Sequence, residues 1–184
     1  TLEESFWGGL FVHRDTLYHM GCTGRFGGMA IRKSVDGGRS WSRPSDGANG
    51  LLRDDGMYHT APMPVVEHDG RLWRAMEDMY PVKQWGVNFR AFLASADADA
   101  VLLRAESWTT STRLARDASW LGGRFGGWLE GNAVVAPDGG VVDVLRVDYR
   151  EGDGEYAAIY SIHTNARQYA SPVIMDTLTL RTIS

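Results

Sequence analysis

Cysteine is nearly absent from this chain of 184 residues: Cys22 stands alone, so no disulfide can form within the chain. No apolar run is long enough to span a bilayer as a helix, which argues against a membrane partner. An excess of positive charge is missing as well. Lys and Arg number 19 against 23 Asp and Glu, and the net charge of −4 argues against a nucleic-acid partner. Helical periodicity is poor throughout. Its best stretch, 98–104, is short and reads equally well as a loop turn. No signal-peptide pattern is visible, and the chain starts at Thr1 as a processed or cut segment would. The expected location is secreted or periplasmic.

What is present points one way. Hydrophobic residues make up 43% and charged residues 23%, a globular composition, and the length suits one domain. The 22 Gly supply turns and the 7 Trp and 7 Tyr suit strands, so the fold class is all-β. Cys22 sits in an apolar strand, where a buried, inert thiol is expected.

An internal repeat organises the chain. Val65-Val66-Glu67-His68-Asp69-Gly70-Arg71-Leu72 aligns with Val134-Val135-Ala136-Pro137-Asp138-Gly139-Gly140-Val141, and Phe11–Leu17 is a shorter cousin. Each reads as an apolar strand, an Asp-centred turn and a returning strand, over 17–22, 72–77 and 141–146 respectively. The interval is roughly 55–70 residues, near the upper end of propeller blade lengths. Three four-stranded antiparallel blades follow, over 5–44, 58–114 and 127–169, with linkers at 45–56 and 116–127. Residues from Ala170 onward are read as a partial strand of a further blade. The segment 95–108 reads either as a degenerate turn motif or as a plain insertion. A closed propeller needs at least about four blades. Three imply either missing blades or a second copy to close the ring.

One stretch is more specific. Ser34-Val35-Asp36-Gly37-Gly38-Arg39-Ser40-Trp41 puts an Asp where it can accept the N–H groups of its own turn, with two glycines for the left-handed positions. Trp41 is expected to start the returning strand and to fold over the turn. The octet resembles the Asp box of the sialidase-like β-propellers. That resemblance implies a carbohydrate-active β-propeller, here a partial one of a six-bladed ring, with a carbohydrate substrate or ligand.

The segment Glu130-Gly131-Asn132-Ala133-Val134-Val135, followed by Asp138-Gly139 and Leu145-Arg146, also resembles a blade of that superfamily. By the resemblance, Glu130 is a catalytic base or nucleophile and Arg146 grips a substrate carboxylate. The geometry of a hairpin supports their proximity, because its first and last residues return to one rim. A structural Glu–Arg pair is the alternative. In the second blade, repeat register aligns Glu77 with Arg146, so Glu77 and His59 are candidates for the catalytic acid. Arg74 and Tyr80, near the same rim, and Trp128, beside Glu130, are candidate substrate-binding residues. Where sialidases carry Arg-Ile-Pro, this chain has Thr60-Ala61-Pro62, and the family's nucleophilic Tyr has no clear counterpart. Trp7 and Trp85 are further candidates for stacking on sugar faces, while Trp41, Trp73 and Trp108 read as packing residues.

No cofactor is expected. His13 and His19 lack further ligands at convincing spacing, and Asp153 reads as a plain acidic turn, so no metal is expected either. The primary reading is a sialidase-like glycoside hydrolase acting on an acidic sugar. The alternatives are a uronate polysaccharide lyase on the same fold and a non-catalytic glycan-binding propeller.

Overall fold

The computed structural model describes residues 2–80 and 84–149, and the strands Tyr156–Ile162, Val173–Asp176 and Thr182–Ile183 as backbone. The described residues form three antiparallel sheets. Sheet one runs β1 (Phe6–His13), β2 (Thr16–Cys22), β3 (Met29–Ser34) and β4 (Leu51–Arg53) in sequence order. In sheet two, β5 (Met57–His59) and β6 (Val66–His68) both pair with β7 (Arg71–Met79), followed by β8 (Phe89–Asp97) and β9 (Trp108–Thr110). Sheet three is β10 (Phe125–Val135), β11 (Val141–Tyr149), β12 (Tyr156–Ile162), β13 (Val173–Asp176) and β14 (Thr182–Ile183).

The turns explain why the chain reverses where it does. Arg14 and Asp15 have φ of 47° and 60°, and Asp69 and Gly70 have 49° and 67°. Two consecutive left-handed residues are the two-residue hairpin turn whose twist matches the strands it joins. In the third repeat, Gly139 at φ 84° and the Gly140 N–H donating to Asp138 Oδ1 at 2.9 Å make a longer turn.

The Asp-box octet closes on itself. Asp36 accepts the Ser40 N–H at 2.9 Å, the Ser40 hydroxyl at 2.6 Å and the Ser34 hydroxyl at 2.7 Å. Gly37 and Gly38 take φ of 70° and 88°. The Trp41 indole N–H donates to the Gly38 carbonyl at 3.0 Å. The hydroxyl and amide of Ser40 hold the Asp36 carboxyl down at about 2. The Trp108 indole N–H donates in the same manner to the Leu102 carbonyl, at 2.9 Å, across 95–108.

Three expectations need correction. Trp41 does not begin a strand: the outer strand of sheet one is Leu51–Arg53, inside the segment read as a linker. Residues beyond Ala170 do not start another sheet, because β13 pairs with β12 and β14 with β13. The segment 98–104 takes its loop-turn reading and not its helical one, and short 3-10 turns lie instead at Ala105–Ser107 and Trp120–Gly123. Asp153 lies outside the described residues.

The sheets stand face to face in chain order. Met20, Cys22, Met29 and Ile31 of sheet one pack against Leu72, Met76 and Phe92 of sheet two. Trp73, Ala75 and Leu93 of sheet two pack against Ala133 and Val141 of sheet three. Sheet two is therefore covered on both faces, so β7 is buried along nearly its whole length and lacks the alternation of a half-exposed strand. Cys22 is a buried free thiol, and burial pushes its pKa up to about 12. Among the described residues none of the three sheets closes on itself.

Candidate functional site

Two inner strands break their ladders at comparable places. In β1 the register shifts between Phe6 and Gly9, and in β10 between Leu129 and Asn132. Each bulge carries a left-handed residue that is not glycine, Trp7 at φ 46° and Glu130 at φ 51°. Such positions cost about 1–3 kcal/mol each and concentrate where a side chain must be re-aimed. Glu130 is thereby turned so that its carboxylate lies 3.3 Å from Arg146 Nη1, with side-chain exposures of 17% and 46%. Arg146 belongs to the more open face of β11, while Val141, Asp143, Leu145 and Val147 form its buried face.

The next residue in the bulge ties this pair to sheet two. The Gly131 N–H donates to Glu77 Oε1 at 2.8 Å. The other oxygen of Glu77 meets His59 Nδ1 at 3.2 Å, and Glu77 and His59 are register partners across β5 and β7. Both side chains are fully buried. With Nδ1 turned to the carboxylate, Nε2 is the ring's remaining functional nitrogen, and it has no hydrogen-bond partner among the described residues. The rings of Phe6, Trp7, Phe26, Trp85 and Phe89 surround His59, with centroids 5.0–6.1 Å away. Trp7 and Trp85 are each 44% exposed, so two half-exposed indoles form the outer wall of the enclosure while Nε2 itself is buried.

Behind Glu77 lies a carboxyl that sequence reasoning missed. Asp143 is completely buried, and neither of its oxygens accepts a well-formed hydrogen bond among the described residues. Gly131 makes room for it: a Cβ there would sit 2.5 Å from Asp143 Oδ1. Burial raises the Asp143 pKa well above the ordinary carboxylate range, the Glu77 charge adds to this, and the Asn132 N–H and Arg74 only partly offset it. The signal was present in Val141-Val142-Asp143-Val144-Leu145, where alternation assigns a lone carboxyl to the buried face.

A stability prediction follows. The folded chain keeps the Asp143 proton that the unfolded chain gives up near 3.8, so Asp143 costs stability increasingly as pH rises from there to its folded value. The slope is about 1.4 kcal/mol per pH unit. Asp143→Asn is expected to lose less stability than the parent between about pH 4 and 7, read by urea unfolding at each pH. Equal losses in the two proteins would show that Asp143 ionises normally.

The remaining sequence candidates are placed as follows. Arg74 is wholly buried and is not on a ligand-facing rim. It donates to Thr60 Oγ1 at 3.1 Å and to the Ala61 carbonyl at 2.5 Å, and burial lowers its pKa to about 10. Trp128 is also wholly buried, packed edge-on against Phe125 and Trp120, so it has no face for a sugar. Tyr80 is exposed, with the Arg90 guanidinium 4.8 Å over its ring, in a different cleft from His59. His13 is held by Glu67 and the Ala98 carbonyl, and His19 by Ser5. No cluster of metal-ligating side chains exists among the described residues.

No protein-family model matches the sequence, and no curated protein matches it. Solved structures do match. The GH43 endo-arabinanase from Bacillus licheniformis superposes with a TM-score of 0.60 at 17% identity, over 96% of this chain and 57% of that one. The α-L-arabinofuranosidase from Lactobacillus brevis gives 0.61 at 11% identity, over 94% and 54%. The Trypanosoma rangeli sialidase in complex with sialic acid gives 0.52 at 12%, over 92% and 30%. This chain thus spans little more than half the length of the two arabinan-named enzymes. At these identities the likeness establishes the fold alone: antiparallel sheets arranged as in the β-propellers of those three proteins.

Proposed function

We propose that this chain carries the catalytic groups of a glycoside hydrolase acting on a glycan with an acidic sugar. One observation carries the reading: a strained bulge holds Glu130 against Arg146 while its next residue is fastened to the buried Glu77–His59 pair. In this reading Arg146 holds the Glu130 side chain in place and offers its remaining N–H groups to a substrate carboxylate. Glu130 acts as base or nucleophile toward the anomeric carbon or its attacking water. His59, oriented by Glu77, delivers the proton to the departing glycosidic oxygen. Trp7 and Trp85 provide the stacking surface. The three sheets are blades of a larger ring, six-bladed by analogy with sialidases, completed by further chain or by a second copy. An extracellular glycan fits a secreted or periplasmic location.

The free Nε2 of a buried, carboxylate-held histidine favours one second reading, a uronate lyase. There His59 would take the proton beside the uronate carboxylate, and the leaving sugar would depart with formation of a carbon–carbon double bond. Mass spectrometry of products from sialosides, uronic-acid oligosaccharides, arabinan fragments and neutral glycans decides. Hydrolysis adds the mass of water across the cut, whereas elimination adds none and leaves an unsaturated product. Release from an acidic glycan with added water is the expected result. A double-bonded product would transfer the assignment to the lyase, and no product from any glycan would remove the enzymatic reading.

A further inference from the structure

On the other face of sheet two, one residue along from His59 and Glu77, lies a cleft of about 310 Å³. Its size is at the lower end of small-molecule sites, about 300–1,000 Å³. Three arginines converge there: Arg53, Arg90 and Arg113. The floor is Asp78, a nearly buried carboxylate. Arg90 grips it bidentately, Nε to Oδ1 at 2.7 Å and Nη2 to Oδ2 at 2.9 Å, and Arg113 Nε donates to Oδ2 at 2.8 Å. Arg113 Nη1 is used by Thr110 at 2.8 Å. That leaves Arg90 Nη1 and Arg113 Nη2 without acceptors among the described residues. Arg53 is held only loosely, 4.0 Å from Asp55, which already accepts the Tyr58 hydroxyl at 2.6 Å.

Three guanidinium charges thus face two carboxylates, and the buried carboxylate is saturated. The surplus is one positive charge with unused, planar N–H donors, in a chain whose net charge is negative. Arg90 and Arg113 are further fixed by ring contacts, over Tyr80 at 4.8 Å and over Phe92 at 4.3 Å, so the donors are pre-oriented. A fork of this kind recognises a planar or tetrahedral oxyanion. Tyr80 adds an exposed aromatic ring at the edge, suited to the apolar face of a sugar.

We propose that this cleft is a second saccharide site, distinct from Glu130–Arg146, which binds the oxyanion of an acidic sugar as a carboxylate or a sulfate ester. The site is independent of whether Glu130 performs hydrolysis, since its assignment rests on binding chemistry alone.

Titration of the whole chain with D-glucuronate, D-glucose 6-sulfate and D-glucose, followed by NMR shifts or calorimetry, tests the proposal. At least one of the two anions is expected to bind, more weakly as salt is raised, and glucose is not. Which anion binds names the source. Arg90→Ala can fail to fold, because it strips two bonds from a buried carboxylate, so Arg53→Glu is the working variant. It reverses a charge that has little structural engagement and is expected to weaken binding at least about tenfold, while Arg43→Glu, on another surface, leaves it unchanged. Arg146→Gln is expected to keep the binding. Equal affinity for glucose, absence of binding by both anions, or insensitivity to Arg53→Glu would each overturn the proposal. Binding abolished by Arg146→Gln and kept in Arg53→Glu would also overturn it, by assigning the anion to the Glu130 site.

Discussion

Glu130→Gln is expected to lower product release by about a hundred- to ten-thousand-fold, the usual contribution of a positioned acid or base. The structure makes this substitution informative. Glutamine matches glutamate in shape and has the same penalty for a left-handed backbone, so the bulge persists. The lost Arg146 ion pair is partly exposed and worth at most about 1 kcal/mol. Rate and stability should therefore separate: turnover collapses while the urea midpoint stays near that of the parent. A variant that keeps more than about a tenth of the parental rate would remove Glu130 from the chemistry and leave it as a structural partner of Arg146.

The second large effect is on stability. Arg74→Met should destabilise the fold by about 2–6 kcal/mol, because two buried oxygens lose their donor at about 1–3 kcal/mol each. Arg74 makes no ion pair among the described residues, and the charges of Glu77, Cys22 and Asp143 act on it only through space. It still carries its proton at neutral pH, because burial lowers its pKa only to about 10. Its fork also satisfies Thr60 and the Ala61 carbonyl, just where the inner strand of sheet two is interrupted between β5 and β6. Against a total of about 5–15 kcal/mol, this loss leaves a marginal protein. Equilibrium urea unfolding measures it directly. A loss below about 1 kcal/mol would mean that Thr60 and the Ala61 carbonyl find other donors when Arg74 is removed.

The contrast between the Glu130–Arg146 pair and the buried groups of β7 shows what the amino-acid order makes legible. The hairpin of sheet three could be read directly: Asp-Gly fixes the turn, and pairing then brings residue 146 opposite 129, beside Glu130. The Asp box was legible for the same reason, since its contacts span only a few residues. Trp128 was not, because the bulge resets the alternation and both Trp128 and Leu129 become buried. Arg74, Glu77 and Asp78 were hard to assign because both faces of sheet two are packed along most of β7, so charge on this strand does not mark a rim. Asp78 with Arg90 and Arg113 joins residues up to 35 positions apart, and no local pattern encodes that. Leu51–Arg53 escaped because three residues carry too little periodicity to mark a strand.

Gly127 gives the site a mechanical property. A Cβ at this position would collide with the Gly86 carbonyl, so the backbone of the inner strand lies directly against the loop that carries Trp85. Trp85 is one residue from that contact on one side, and Glu130 three residues from it on the other. Any side chain at residue 127 would therefore force the inner strand and the Trp85 loop apart.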